Sequence, residues 1–287
     1  MTLLSQFHPE GLVFEGRTLR VEALAHGVMR LTLDRPELRN AFNGTMIQEL
    51  SQALATLAAE PDPNRVRLLL LEGAGPVFCA GADLAYMRDH AQVPREVNLE
   101  HARELGRMFH QLASFPTPVI SCVRGAAIGG GLGLVACSDF VLADPAAVFA
   151  TSEVMLGLAP AVISPYLVRR LGLAHSAPMM LSGRRFGTPD ALAMGLVQRQ
   201  VDPGETGEQA LTRVLREFLA AGPAAARASR ELLLRIAPLP DPELLEFTAS
   251  MIAGIRVSAE GQAGLKAFFD KTPPVWSLPS PAMDRRH

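Results

Sequence analysis

No stretch of the 287-residue sequence approaches the ~20 uninterrupted apolar residues that a membrane-crossing helix requires, so no membrane partner is expected. Neither charge sign dominates. The 27 basic and 29 acidic residues leave a formal net charge of −2, which argues against a surface built to attract nucleic acid or anionic lipid. The opening "MTLLSQFHPEG" lacks the positive start and apolar core of a secretory signal, and the setting expected is the cytoplasm. Cysteine is scarce: Cys79, Cys122 and Cys137 stand far apart in apolar surroundings, without CxxC spacing. That pattern predicts buried free thiols rather than zinc ligands or disulfides, and no metal site is expected. No repeat at a fixed period and no low-complexity linker divides the chain, which reads as one large domain or one domain with an appendage.

What is present is apolar patterning of two kinds. "TLRVEALAHGVMRLTLDRP" alternates on both sides of His26-Gly27 and predicts a hairpin ending at Pro36. "NGTMIQELSQALATLAAEP" has helical spacing, with Asn43 in the cap region and Pro61 beyond its end. "VRLLLLEGAG" and "PVISCV" are short and almost wholly apolar, as strands covered on both faces are; "FVLAD" and "AVFAT" are shorter strands. "NLEHARELGRMFHQLASFP" is an amphipathic helix between them. Strands alternating with helices up to Leu158 imply an α/β layout with parallel pairing. Beyond it, "SPYLVRRLG", "AHSAPMMLSG" and the segment Pro242 to Asp270 carry helical spacing, and the Pro-rich tail is expected to fray at its end.

The segment "RGAAIGGGLGLVACSD" sets three glycines at the mouth of an apolar helix. It is neither a dinucleotide fingerprint, because "RGAAIG" separates the triplet from the strand, nor a P-loop, because no Lys-Ser or Lys-Thr follows. One reading is close packing of a helix on a sheet. The other is a helix start whose unpaired N–H groups meet a ligand oxygen, with no side chain at Gly129, Gly130 or Gly131 in the way. A second donor would then come from "GAGPVFCAGADL", where Gly81 lets the chain turn the Ala82 N–H toward the same point.

"RPELRNAF", "GAGPVFCAGADL", "GAAIGGGLGLVACSDFVLAD" and "FATSEVMLGLAPA" together resemble, in order and spacing, the enoyl-CoA hydratase/isomerase (crotonase) family. The likeness runs from Val21 to Gln200 and resumes at "EGQAGLKAFFDKTPPVW". It implies an α/β crotonase-like spiral of ββα turns over 1–200 and a helical C-terminal trimerisation region over 201–287. It also implies a homotrimer or homohexamer, an acyl-CoA substrate and no cofactor beyond that substrate's own coenzyme A. By motif position the N–H groups of Ala82 and Gly130 are the oxyanion donors. Arg39, Ala41, Ala80, Asp83 and Leu84 fall along the CoA path, and Phe268 and Lys271 match residues that reach the CoA of a neighbouring subunit.

The acids depart from the family pattern. Typical hydratases of the family use two glutamates; the position of the first is Gly133 here, and only the second, Glu153 in "FATSE", remains. Position 161, acidic in the dienoyl-CoA isomerase and haloaroyl-CoA dehalogenase branches, is Ala161. One carboxylate beside a two-donor oxyanion site can move a proton from water to C2 during syn hydration, or from C4 to C2 during isomerisation. A catalytically silent CoA-binding protein is the third reading. "GLAPAVISPYLVRRLG" further resembles bacterial hydratases of 3-methylglutaconyl-CoA and isohexenylglutaconyl-CoA, whose substrates carry their own carboxylate. On that resemblance Gly133 is expected to leave room for a branched acyl group or a water. Arg88, His90 and Arg95 are candidate partners for the substrate carboxylate, and Tyr166 and His110 candidate pocket residues.

Overall fold

Leu68–Leu71 shows how the fold begins. In the computed structural model, which describes residues 7–277 apart from residue 63, these four leucines lie between two parallel neighbours in the middle of a mixed sheet. Alternate side chains of a strand point to opposite faces. Leu69 and Leu71 therefore join one apolar core, and Leu68 and Leu70 a second core on the other face. A strand buried on both sides has no polar face to show, which is why the run reads as continuous. The last ten residues of the Pro-rich tail, where fraying was expected, lie outside the described residues.

The large sheet contains β1 (Pro9–Glu15), β2 (Leu19–Leu24), β3 (Val28–Leu33), β4 (Leu68–Gly73), β5 (Val119–Val123), β7 (Phe140–Ala143) and β10 (Arg199–Gln200), in that spatial order. The β1–β2–β3 meander is antiparallel, and every pair from β3 to β10 is parallel. A smaller sheet holds β6 (Ala126–Ile128), β8 (Val148–Ala150) and β9 (Phe186–Gly187). The helices are α1 (Gly44–Ala58), α2 (Leu84–Ala91), α3 (Arg95–Ala113), α4 (Gly130–Cys137), α5 (Ser164–Ser182), α6 (Thr188–Ala193), α7 (Gly207–Leu219), α8 (Pro223–Ile236), α9 (Pro242–Val257) and α10 (Ala259–Phe269).

The winding repeats one unit: a strand in the large sheet, a short extended piece beside the small sheet, then a helix. β5, β6 and α4 form one such turn, and β7, β8 and the helical segments after them form the next. In the two earlier turns the middle piece shrinks to single bridges, Phe42 with Ala82 and Cys79 with Ala127. This is the α/β spiral of ββα turns that the motifs implied. "FVLAD" and "AVFAT" are strands as expected, yet in different sheets, because a turn closed by the Ala147 N–H on the Asp144 carbonyl redirects the chain.

Three elements escape the sequence pattern. β1 is exposed along almost its whole length and has no apolar period; β6 is three residues long; α2 begins on a cap, not an apolar stripe. The segment from Pro242 to Asp270 is two helices, divided at Ser258, whose side chain accepts the Gly261 N–H at 3.1 Å to start α10. α9 lies along α3, fastened by Arg103 to both oxygens of Glu246 (2.7 and 2.8 Å) and by Arg95 to the Ser250 hydroxyl (2.7 Å). Water and salt screen these exposed contacts, and the apolar face beneath them does most of the holding. Cys79 and Cys137 are buried, Cys122 is half-buried, and all three are free thiols. No described helix is long and apolar enough to cross a membrane.

Candidate active site

The ends of the ββα turns bring Gly81 against Ile128. A Cβ atom on Gly81 would lie 3.1 Å from the Ile128 carbonyl oxygen, and its φ of +95° belongs to glycine. That backbone angle decides where one amide points. Cys79 pairs toward β6, giving its N–H to Ala126 and accepting from Ile128 at 2.9 and 3.0 Å. Past Gly81 the pairing changes sides, and the Gly81 carbonyl accepts the Phe42 N–H at 2.7 Å. In a trans peptide the carbonyl and the next N–H point oppositely. The Ala82 N–H therefore faces away from Phe42, toward the chain leaving β6.

α4 starts there. The Gly129 carbonyl accepts the Gly133 N–H at 3.0 Å along the helix, so the Gly130 N–H of the same peptide plane points back out of the helix start. Neither amide donates to any described group. The two N–H groups come from different loops and open on one cleft, a cavity of about 650 Å³ lined by Ala80, Ala82, Leu84 and Gly130 among others.

Glu153 sits in a short 3-10 turn, Ser152–Leu156, and lines the same cavity. Its Oε1 lies 3.1 Å from where a Cβ on Gly129 would be, and its Oε2 is buried without a hydrogen-bond partner. Burial pushes its carboxyl from the ordinary 4.5 up to about 7. Among the described residues it is the only carboxylate lining the cleft. Gly129 has φ +52° and ψ −118°, a conformation closed to other residues. Gly129→Ala is thus expected to strain the loop and displace the Glu153 carboxyl together. The expected result is a kcat about 10–100-fold lower, read by steady-state kinetics, with a Tm several degrees lower.

Several sequence-identified residues sit elsewhere. Gly133 is a correction: its missing side chain leaves no room, because Phe109 and Ile163 fill the space. A Cβ there would lie 2.5 Å from Ile163 Cγ2 and 2.8 Å from the Phe109 ring. Asp83 is another correction. It caps α2 through the Ala85 N–H (2.8 Å) and pairs with Arg35 (2.7 Å), so it holds the Ala82 loop instead of facing the cleft. Burial raises its pKa, but those bonds outweigh burial and hold the carboxyl below its usual range. Ala41 is buried with its carbonyl on Arg35 (2.6 Å), and Arg39, exposed, receives the Ala80 N–H on its carbonyl at 3.0 Å. Lys271 is also exposed, and neither it nor Arg39 lines the cavity.

Phe268 lines the cavity of its own chain. Of the three candidate partners for a substrate carboxylate only His90 does so. Arg88 lies over the Phe269 ring at 5.1 Å, and Arg95 is taken by Ser250. Tyr166 is buried against Phe109 with ring centroids 6.1 Å apart, and neither it nor half-buried His110 lines the cleft. Arg256 and Tyr86 were missed. Arg256 left one signal: it is the sole charged residue between Glu246 and Glu260.

The sequence profile of the enoyl-CoA hydratase/isomerase family matches residues 23–278. The chain belongs to that family. A curated relative, a putative enoyl-CoA hydratase of Thermus thermophilus, is 35% identical over 84% of this chain and 94% of its own. The crystal structure of an enoyl-CoA hydratase from Shewanella pealeana superposes with a TM-score of 0.72 at 38% identity, covering 96% of this chain and 98% of that one. Pseudomonas aeruginosa AtuE gives 0.73 at 35% identity, over 91% and 100%. As an enzyme of the crotonase family, this enoyl-CoA hydratase/isomerase takes an acyl-CoA substrate. The apolar wall beside Glu153, including Ala161, Val162 and Ile163, suits an acyl chain.

Proposed function

We propose that the enzyme hydrates a branched 2-enoyl-CoA of the 3-methylglutaconyl-CoA or isohexenylglutaconyl-CoA type, adding water syn across C2=C3. The observation that carries this reading is the buried Glu153 carboxyl, one of its oxygens without a partner, in a cleft that Ala82 and Gly130 also line. The thioester oxygen accepts from Ala82 and Gly130. As water attacks C3, an O–H bond breaks and its proton passes to Glu153, while the C2=C3 electrons move onto the thioester oxygen. Glu153 then returns that proton to C2 on the same face as the new hydroxyl. Each donor in such a site contributes about 3 kcal/mol as charge develops, and the proton shuttle adds a factor of about 10²–10⁴. No second carboxylate is required, and no cofactor enters beyond the CoA of the substrate. Arg39 and Lys271, exposed beyond the cleft, are proposed to meet the CoA nucleotide.

The exposed Leu232, Leu233 and Ile236 on α8 favour burial between copies, in keeping with a homotrimer or homohexamer. The chemistry is tested in deuterated water. With a 2-enoyl-CoA the expected product is 3-hydroxyacyl-CoA carrying one deuterium at C2. Conversion of a 3-enoyl-CoA to the 2-enoyl isomer without hydroxylated product would establish isomerisation instead. No turnover of either would point to a silent CoA-binding protein.

A further inference from the structure

The cleft wall built by α1, α3 and α9 is apolar at Ile47, Leu105 and Ile252, and then carries a guanidinium. Arg256 lies one helical turn beyond Ile252 on α9 and lines the same cavity as Glu153. Its Nη1 donates to Oδ1 of Asn98 at 3.0 Å, and Asn98 is fully buried on α3, with its own amide nitrogen on the Val93 carbonyl at 3.1 Å. The head group is thus held from behind by a neutral, fixed acceptor. No carboxylate among the described residues pairs with it, and its other N–H groups have no described partner. Burial pulls its pKa below the ordinary arginine value, as for any charge withdrawn from water. A cation lining an apolar cleft without a counter-ion costs free energy unless an anion arrives with the ligand.

Two α2 side chains complete the corner. The His90 Nδ1–H donates to the Tyr86 carbonyl at 2.7 Å, which fixes the ring and leaves Nε2 without a described partner. The Tyr86 ring lies 4.0 Å from the His90 ring, and the edge of His101 closes the other side at 4.4 Å. Tyr86 and His90 both line the cavity. The acids felt by this corner, Glu104 and Glu100, act on Tyr86 and His101 from α3, and neither pairs with Arg256. The Arg256 guanidinium and the Tyr86 hydroxyl are therefore the corner's donors, His90 shapes it beside them, and Arg256 has no carboxylate partner among the described residues.

We infer that Arg256, backed by Asn98 and flanked by His90 and Tyr86, binds a carboxylate at the far end of the acyl chain. The enzyme then selects dicarboxylic enoyl-CoA thioesters over simple ones. This rests on the acyl-thioester reading above and names the residues that would recognise the second acid. The same guanidinium would also attract a CoA phosphate, and the substrates below separate the two sources because they share the same CoA.

Glutaconyl-CoA and crotonyl-CoA differ by a terminal carboxylate. For Arg256→Met the ratio of their kcat/KM values is expected to fall about 30-fold or more, as for loss of one partner of a buried charge pair. Arg256→Lys should restore part of that ratio, since it keeps the charge but not the planar fork. An equal loss for both thioesters would assign Arg256 to the CoA or to the fold, and an unchanged ratio would remove it from recognition; either overturns the inference. Binding supplies a readout that needs no turnover. Calorimetric titration of the wild-type enzyme with the saturated glutaryl-CoA should give a Kd about tenfold or more below that of butyryl-CoA, a preference lost in Arg256→Met. If that preference appears without hydration of any enoyl-CoA, the carboxylate site stands and the hydratase reading fails. If crotonyl-CoA is hydrated but glutaryl-CoA is not preferred, the hydratase reading stands and the site fails.

Discussion

Glu153→Gln is expected to lower kcat about 10²–10⁴-fold while thioester binding measured by titration is retained. The amide keeps the shape of the side chain next to Gly129 but takes up no proton from water. A pH profile checks the same assignment. The base must be ionised in the free enzyme, so kcat/KM should fall as pH drops through about 7, where burial has raised the Glu153 carboxyl. The Gln variant should lack that limb, and unchanged turnover would remove Glu153 from the mechanism.

Stability should move the opposite way. Because the folded state holds the Glu153 proton more tightly than the unfolded chain, the protonated carboxyl causes no penalty below about 4.5. Between 4.5 and about 7 the unfolded chain ionises first, and stability declines; above about 7 the full cost is felt. That cost is on the order of 3 kcal/mol. Glu153→Gln should therefore raise Tm by several degrees at pH 8 and hardly alter it at pH 4.5. A more stable, inactive variant is the signature of a carboxyl kept buried for its chemistry.

The other large effect is expected at Gly133, and it concerns folding. A Cβ there would lie 2.5 Å from Ile163 and 2.8 Å from Phe109, in a position without open space. Alanine in a helix gains about 0.5–1 kcal/mol over glycine, but overpacking at such distances costs about 1–3 kcal/mol. Gly133→Ala should be net destabilised by about 1–2 kcal/mol, read as a lower urea midpoint with an unchanged m-value. Gly133→Glu adds a carboxylate among apolar side chains and should lose more than about 4 kcal/mol, enough to leave little folded protein. A Gly133→Glu protein that folds and gains a second acid in the cleft would show that Phe109 and Ile163 yield to it. Phe109→Leu in combination with Gly133→Ala should recover part of the loss if the phenyl ring is what fills the space.

The difference between these two glycine and glutamate positions marks what could be read along the chain. "VRLLLLE" and "PVISCV" are apolar enough to have no other place than a doubly covered strand, and Asn43 caps α1 as its position implied, accepting the Met46 N–H at 2.9 Å. Such features depend on neighbours within a few residues. β1 and β6 had no local period to read, since one is an exposed edge and the other takes its direction from pairing with β8. Asp83 stood within the family's loop motif, and nothing near it in sequence announced Arg35, 48 residues away, as its partner.

Local chemistry along the chain was enough to settle the alternation of strands and helices and the bare backbone at Gly81 and Gly129–Gly131, while the spiral winding and the choice of Glu153 came from the family resemblance. Apolar runs and glycines act on their immediate surroundings, so their consequences travel with the sequence. Packing alone decided that Phe109 and Ile163 occupy the place beside Gly133, that Asp83 turns inward to Arg35, and that Arg256 lines the cleft with no carboxylate partner among the described residues. Those outcomes depend on which distant side chains share a volume, and in a close-packed interior a volume is filled once.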